Sequence, residues 1–454
     1  MTTFLPPADL TTVAGPVLHP GDPGWAEEIA GFNLTWNPTP AMVVGATSTS
    51  DIATAVRYAA DNGKRIAVQA TGHGLMADLD GSVLITTRRM TDIDIDPAAR
   101  TARVQAGVRW RAVIDAAAPR GLAPLNGSSS QVGVVGYTTG GGLGPMARRY
   151  GFAADHVSRF TIVTADGIVH DVHADSTDPD DVDLFWAVRG GKGGFGIVTE
   201  MTFELVEVTG FHGGAIFFAG DDAAALLHTW REWAPTLPDD TTTSVALLRL
   251  PPDPNLPEPL RCRFVVSLRF THLGVDGPAL LAPMRAAASP LMDLVADMPY
   301  PAVDAVHMDP TAPLPSWDRG TGLSALPAEA VDALLAVAGP GVASPLTMVE
   351  VRLLGGALAR APRVPNAVSG RDAAFSVFTV GVVAGVPIEV VAAAGAAVVD
   401  AVRPWARGGL INFLGHAGPE RVGQLWGAAD RARLLAIRER VDPAGLFTTS
   451  VVIG

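Results

Sequence analysis

The run Val68-Gln69-Ala70-Thr71-Gly72-His73-Gly74 places one imidazole between two glycines, directly after an apolar stretch. Imidazole is both a nucleophile and a proton carrier near neutral pH. Glycines on either side remove Cβ atoms, so the backbone can take positive φ and turn its N–H groups toward one anion such as a pyrophosphate. A second glycine-rich run, Val132-Gly133-Val134-Val135-Gly136-Tyr137-Thr138-Thr139-Gly140-Gly141-Gly142-Leu143-Gly144, offers another backbone surface of the same kind. A dinucleotide brings two phosphates, and few basic side chains stand near either loop, so backbone N–H groups would have to stabilise them. Taken singly, His73 also reads as a loop histidine bonded to backbone, and the run at 140–144 as a surface turn.

Elements around the histidine place it at a strand end. Residues 41–47 read as a strand, Ser50 as the cap of a helix through Asp61, Gly63 as its stop, and residues 66–68 as a second strand. Further on, residues 111–118 read as a helix and residues 160–172 as a hairpin turning at Asp166-Gly167. Beyond Val208 helical runs (221–233, 327–337, 387–402) interleave with strands (244–250, 263–270, 346–354, 375–383). Their polar and apolar alternation predicts an antiparallel sheet with one covered face. The proline-rich stretch 251–259 reads as a loop at the tip of that sheet.

Three later segments complete an ordered set: Arg149-Tyr150-Gly151-Phe152-Ala153-Ala154-Asp155-His156-Val157, Phe185-Trp186-Ala187-Val188-Arg189-Gly190-Gly191-Lys192-Gly193-Gly194-Phe195-Gly196-Ile197-Val198-Thr199, and Val441-Asp442-Pro443-Ala444-Gly445-Leu446-Phe447. With the two glycine loops, the set resembles flavoproteins of the vanillyl-alcohol oxidase type, specifically the berberine-bridge-enzyme-like oxidases widespread in actinobacteria. The resemblance implies an α+β fold: a PCMH-type FAD-binding domain at 1–208 (core about 38–208), a substrate domain at 209–404 whose antiparallel sheet is covered by helices, and a return to the first domain at 405–454. It implies FAD contacts at Ala70, Thr71, Gly72, His73, Gly74, Ser129, Val132, Gly133, Gly136, Tyr137, Thr139, Gly140, Gly141, Gly144 and Val157, with Gly194, Gly196, Ile197 and Val198 toward the adenine. Tyr137 matches a position near the pyrimidine end of the flavin. His73 matches the histidine that relatives bond to the flavin 8α-methyl group. A second link in relatives uses a cysteine where this chain has Ser129, and the only cysteine is Cys262. A single covalent link is therefore expected.

Oxidising a C–H beside an alcohol or amine needs a base for the accompanying proton. In relatives the open flavin face is lined by the strands matching 346–356 and 410–413. On the first, Met348, Glu350 and Arg352 share one face. If that face looks into the pocket, Glu350 is a candidate base with Arg352 beside it; if it looks to solvent, the two form a surface pair worth little. Asn412 and Tyr137 complete the set of candidate catalytic residues beside Glu350 and Arg352. The chain departs from the family where relatives carry a tyrosine just before this asparagine. Its 4 tyrosines lie elsewhere, and Leu410 and Ile411 stand in that place, which suggests an apolar alcohol, amine or secondary metabolite. An asparagine usual after the last motif is also missing from Thr448-Thr449-Ser450. The readings left open are an oxidase passing electrons to O₂, a dehydrogenase using another acceptor, and a flavin-containing binding protein without turnover.

Composition narrows the classes. A net charge of −13 argues against a nucleic-acid partner. The N-terminus lacks a basic patch followed by an apolar run, and no segment has the length of a membrane span, so a soluble cytoplasmic protein is expected. His170-Asp171-Val172-His173 lacks further ligands nearby, so no metal is expected. Gly190-Gly191-Lys192-Gly193-Gly194 lacks the ending of a nucleotide-triphosphate loop. Oligomeric state is left open.

Overall fold

The computed structural model describes residues 9–74 and 79–448. Residues 1–8, which enter the targeting reading, and Thr449 and Ser450 lie outside the described residues. The described residues build three sheets. In the first, Ile66–Gln69 and Met42–Gly45 each pair in parallel with Val83–Thr86. Val17–Leu18 pairs antiparallel with Met42–Gly45 at one edge, and every residue of Met42–Gly45 and Ile66–Gln69 other than Val68 is buried, as predominantly apolar runs in a covered parallel sheet should be. The helix Thr49–Asp61 crosses over this sheet. Its cap is Ser48, not Ser50: the Ser48 hydroxyl accepts the Asp51 N–H at 3.2 Å, and the Asp51 carboxylate turns back to accept the Thr47 N–H at 2.8 Å. Gly63 follows the helix with φ 60°.

The second sheet is antiparallel, in the order Ile93–Asp96, Thr101–Gln105, Ile197–Glu204, Val157–Val163, Val169–His173. The last two strands form the hairpin read from Asp166-Gly167. The third has eight strands. Its main path runs Pro290–Asp293, Gly210–Ala219, Phe264–His272, Thr241–Arg249, Met348–Leu353, Phe375–Val382, Ser316–Leu323. Helices Ala223–Trp233, Gly277–Ala287, Ala328–Ala338 and Ile388–Ala401 cover one face, where Val245, Leu268, Val349, Val351 and Val377 meet Trp230, Leu281, Leu334 and Val398. The opposite face is covered as well, since Ser244, Ser267, Arg269, Glu350, Arg352 and Ser376 are all buried.

Two segments cross between the halves. Tyr300, Val303 and Val306 leave the large sheet and pack into the core that holds Trp110, Phe160 and Phe185. The chain beyond Leu410 returns to that same core through Ile411, Leu414, Trp426, Leu434 and Ile437. The closing Asp-Pro motif fastens this return: the buried Asp442 carboxylate accepts the N–H groups of Leu446 at 2.6 Å and Phe447 at 2.9 Å, and the Leu446 carbonyl accepts the Ile66 N–H. Among the described residues no helix is long and apolar enough to cross a membrane. Asp442→Ala strands two buried donors and should cost about 1–3 kcal/mol, read as faster amide exchange at Ile66, Leu446 and Phe447; unchanged exchange there would remove this role for the motif.

Candidate active site

The histidine loop is shaped by contact with a neighbouring backbone. Gly72 has φ 70°, and a Cβ there would sit 2.4 Å from the Gly31 Cα. Phe32 N–H donates to the Thr71 carbonyl and Asn33 N–H to that of Gly72, both at 3.0 Å. The His73 ring then stacks on Phe32, centroids 4.0 Å apart and planes 11° from parallel. His73 Nδ1 is 2.8 Å from the Thr71 hydroxyl oxygen, which also accepts the Gly133 N–H, so the two glycine loops lie side by side. His73 Nε2 is buried with no hydrogen-bond partner among the described residues. Burial, aided by the Arg109 guanidinium, pushes the His73 pKa down to about 4. The ring is therefore neutral at neutral pH, with one nitrogen held and the other unengaged. Among the described residues, chain neighbours aside, none lies within 4 Å of where a Cβ on Gly74 or Gly136 would be. A covalently held flavin fits these features: a nucleophilic nitrogen is available, and open backbone stands beside it.

The second loop packs around Tyr137. Its ring meets Trp110 edge-on at 5.5 Å, and side chains at Gly127 or Gly142 would strike it. Burial raises the Tyr137 pKa and Arg352 only partly opposes this, so the phenol stays protonated. Its hydroxyl has no partner among the described residues. A Cβ at Gly140 would fall 2.0 Å from Asn412 Oδ1. Asn412 Nδ2 donates to the Tyr137 carbonyl at 2.7 Å, and Oδ1 accepts from Lys192 Nζ at 2.6 Å. The Thr139 carbonyl accepts the N–H groups of Gly190 and Lys192. Gly141 (φ 102°) and Gly144 take positions where a side chain would meet Val368 and the Asn126 carbonyl.

Other sequence-derived positions offer less. The Ser129 hydroxyl accepts the Gln131 N–H within its own turn, and the exposed Cys262 lies in the loop before Phe264–His272, outside this turn. Val132 packs beside the core, Val157 and Val198 lie within it, and Ile197 sits in the core of the first sheet. Gly194 abuts Arg438, and Gly196 abuts the Val163 carbonyl. His170 pairs with Asp181 at 2.9 Å. Leu410 and Ile411 are buried in two different apolar clusters, so they form no open apolar wall.

Glu350 is neither on the surface nor a free base. Its carboxylate accepts from Arg269 at 2.6 Å, Arg352 at 2.9 Å and the Ser244 hydroxyl at 2.6 Å. Burial favours protonation, yet the Arg352 and Arg269 guanidinium groups, with the Ser244 hydroxyl, outweigh it and hold the Glu350 pKa well below the usual carboxylate range. A carboxylate so held is a weak proton acceptor, which corrects the expectation drawn from strand alternation alone. On the same sheet face, Asp318 is different: burial pushes its pKa up to about 6, opposed by Lys192. Lys192 is pushed down to about 8 by burial, opposed by Asp318. Both keep part of their surface accessible, a combination expected of groups facing an internal space. Sequence reading missed Lys192, Asp318, Arg109, Arg269 and His307. Lys192 did carry a signal, a lone cation inside a glycine run, and it holds φ 65° without being glycine.

Comparison with known proteins agrees with this geometry. A family model described as an FAD binding domain matches residues 40–173. The chain is 36% identical over 203 residues to (R)-6-hydroxynicotine oxidase of Paenarthrobacter nicotinovorans, covering 43% of each sequence. The sequence match thus spans less than half the length of that relative. Over 97% of both chains the fold resembles the crystal structure of 6-hydroxy-D-nicotine oxidase from Arthrobacter nicotinovorans, with a TM-score of 0.82 at 26% identity. It also resembles the berberine-bridge-like protein 1 of Physcomitrella patens in fold, with a TM-score of 0.84 over 98% of both chains at 19% identity. Glu350→Ala would leave two guanidinium groups buried without their shared carboxylate. We expect a loss of about 3–5 kcal/mol in stability, seen as a lower denaturation midpoint; an unchanged midpoint would show the cluster to be solvated.

Proposed function

We propose that this chain, whose residues 40–173 match an FAD binding domain and whose fold resembles those of 6-hydroxy-D-nicotine oxidase and a berberine-bridge-like protein, is an FAD-dependent oxidase of a small organic molecule. The carrying observation is His73: neutral, stacked on Phe32, with a buried ring nitrogen free of protein partners among the described residues. His73 would hold the flavin covalently, with backbone N–H groups of the loops at 71–74 and 132–141 beside its phosphates. When bound there, the flavin would supply a two-electron acceptor for hydride from a substrate C–H bond, with O₂ as the final acceptor and H₂O₂ as the product.

The protein's own part is positioning and proton management. Asp318 is the carboxylate best suited to accept the substrate O–H or N–H proton, because its pKa of about 6 lies nearest neutrality. Lys192, through Asn412, holds a positive charge next to the Gly140 loop. Below about pH 6 Asp318 is protonated and cannot accept a proton; above about pH 8 Lys192 loses its charge. The two values belong to the pair as a coupled system.

Acid precipitation of the yellow protein should leave flavin in the pellet, and His73→Ala should release it to the supernatant. Flavin released from the unaltered chain would exclude the covalent link. Turnover should give stoichiometric peroxide. The pH profile of kcat/KM should rise near 6 and fall near 8, and Asp318→Asn should lower kcat about 10²-fold or more and remove the rising limb. An intact rising limb in that variant would exclude Asp318 as the acceptor.

A further inference from the structure

The buried face of the large sheet carries more cation than anion at one point. Arg269 and Arg352 share the single carboxylate of Glu350. His307, from the segment Tyr300–Val306 and its cap, stands 3.3 Å from Arg352 through its Nε2. Burial and the two guanidinium groups keep His307 neutral. With two cations, one anion and a neutral ring, the cluster has a net charge of +1. Arg352 has only donors to offer, so His307 Nε2 must accept, and the ring proton lies on Nδ1.

That assignment decides what is left over. Three buried polar atoms here have no partner among the described residues: His307 Nδ1, Arg269 Nε and the Tyr137 hydroxyl. The first two carry N–H groups, and the third, kept protonated, can give its O–H. All three can donate. Arg269, His307, Arg352, Ser244 and Gly144 line one small void, and the Tyr137 hydroxyl lies 3.2 Å from where a Cβ on Gly144 would be. A buried donor left unpaired loses its hydration without recovering a hydrogen bond, so each of the three favours an acceptor in the void. The void has room for about one water-sized atom. A sugar or alcohol hydroxyl would bring a proton of its own among these donors, whereas an ionised carboxylate brings only acceptors.

We propose that Arg269, Arg352, His307 and the Tyr137 hydroxyl form a recognition subsite for a carboxylate carried by the substrate, one of whose oxygens enters the void beside Gly144. This deepens the oxidase reading by naming the substrate class, and it rests on that reading for the word substrate. The apolar substrate suggested by Leu410 and Ile411 gives way to one with an anionic end.

Isothermal titration of the holoenzyme with benzoate and with benzamide tests the subsite without turnover. The amide has the same shape and no charge. Benzoate should bind at least about tenfold more tightly. Arg352→Met keeps the Arg269–Glu350 pair and should abolish that preference; Tyr137→Phe, which preserves the ring, should weaken benzoate alone and decides the matter if the first variant does not fold. Equal affinity for the two probes, or a preference untouched in a folded variant, would overturn the proposal. Carboxylate selectivity in a protein found to hold no flavin would sink the oxidase reading and leave the subsite standing. A yellow, peroxide-producing protein indifferent to charge would do the reverse.

Discussion

The carboxamide of Asn412 is the point on which the site's assembly depends. It donates to the Tyr137 carbonyl at 2.7 Å and accepts from Lys192 at 2.6 Å, joining three segments far apart in sequence. Its oxygen fills the space that a side chain at position 140 would need. Gly140 therefore serves less as a flexible hinge than as an opening through which the returning chain reaches the loop. The next residue continues the link: the Phe413 ring meets Phe378 of the large sheet edge-on at 5.1 Å and lies 5.4 Å beneath the Arg352 guanidinium. Two consecutive side chains thus tie the glycine loop to the sheet face, and a charge-assisted bond in a buried setting is strong enough to hold such a tie.

What could be read from sequence follows how local each constraint is. The histidine loop, the hairpin at Asp166-Gly167 and the alternation of Met348–Leu353 depend on neighbours in the chain, so they were legible. Ser48 took the cap predicted for Ser50 because the Asp51 carboxylate, bound to Thr47, fixes the turn one step earlier in a run of equally suitable hydroxyls. Alternation placed Glu350 and Arg352 on one face but not what covers it. That answer comes from Ser244 and Arg269, which lie 106 and 81 residues away from Glu350 in sequence. His307 gave no signal at all, since its meaning lies only in the guanidinium beside it. Lys192 was visible but was judged by the motif it failed to complete.

The large sheet does not stand apart from the rest. In its excursion the Tyr300 hydroxyl lies between the Pro124 carbonyl oxygen and Asn126 Oδ1, with one proton for the two acceptors, while Asp304 accepts both the N–H and the hydroxyl of Ser130. The turn holding Ser129 is thereby pinned from the other half of the molecule. A partition drawn at 208 and 404 describes the order of the chain better than its packing. The void beside Gly144 has walls from both halves and depends on this strap, because His307 follows directly from the pinned segment.

Two carboxylates on one sheet face are driven in opposite directions, and the contrast assigns their work. Glu350 and Asp318 both lose water, which by itself raises a carboxyl pKa. Glu350 recovers more than it loses from two guanidinium groups and a hydroxyl in direct contact. Asp318 has one flexible cation acting on it, already committed to Asn412, and stays near 6. The first is held as an ion, whereas the second can change protonation state near neutral pH. Lys192 fits the same logic. A lysine in a left-handed backbone position costs about 1–2 kcal/mol that a glycine would avoid. Its four glycine neighbours in the run show that the loop itself needs no side chain there. The strain is accounted for by what the ammonium does at the other end, where it holds Asn412 and sets the charge that Asp318 feels.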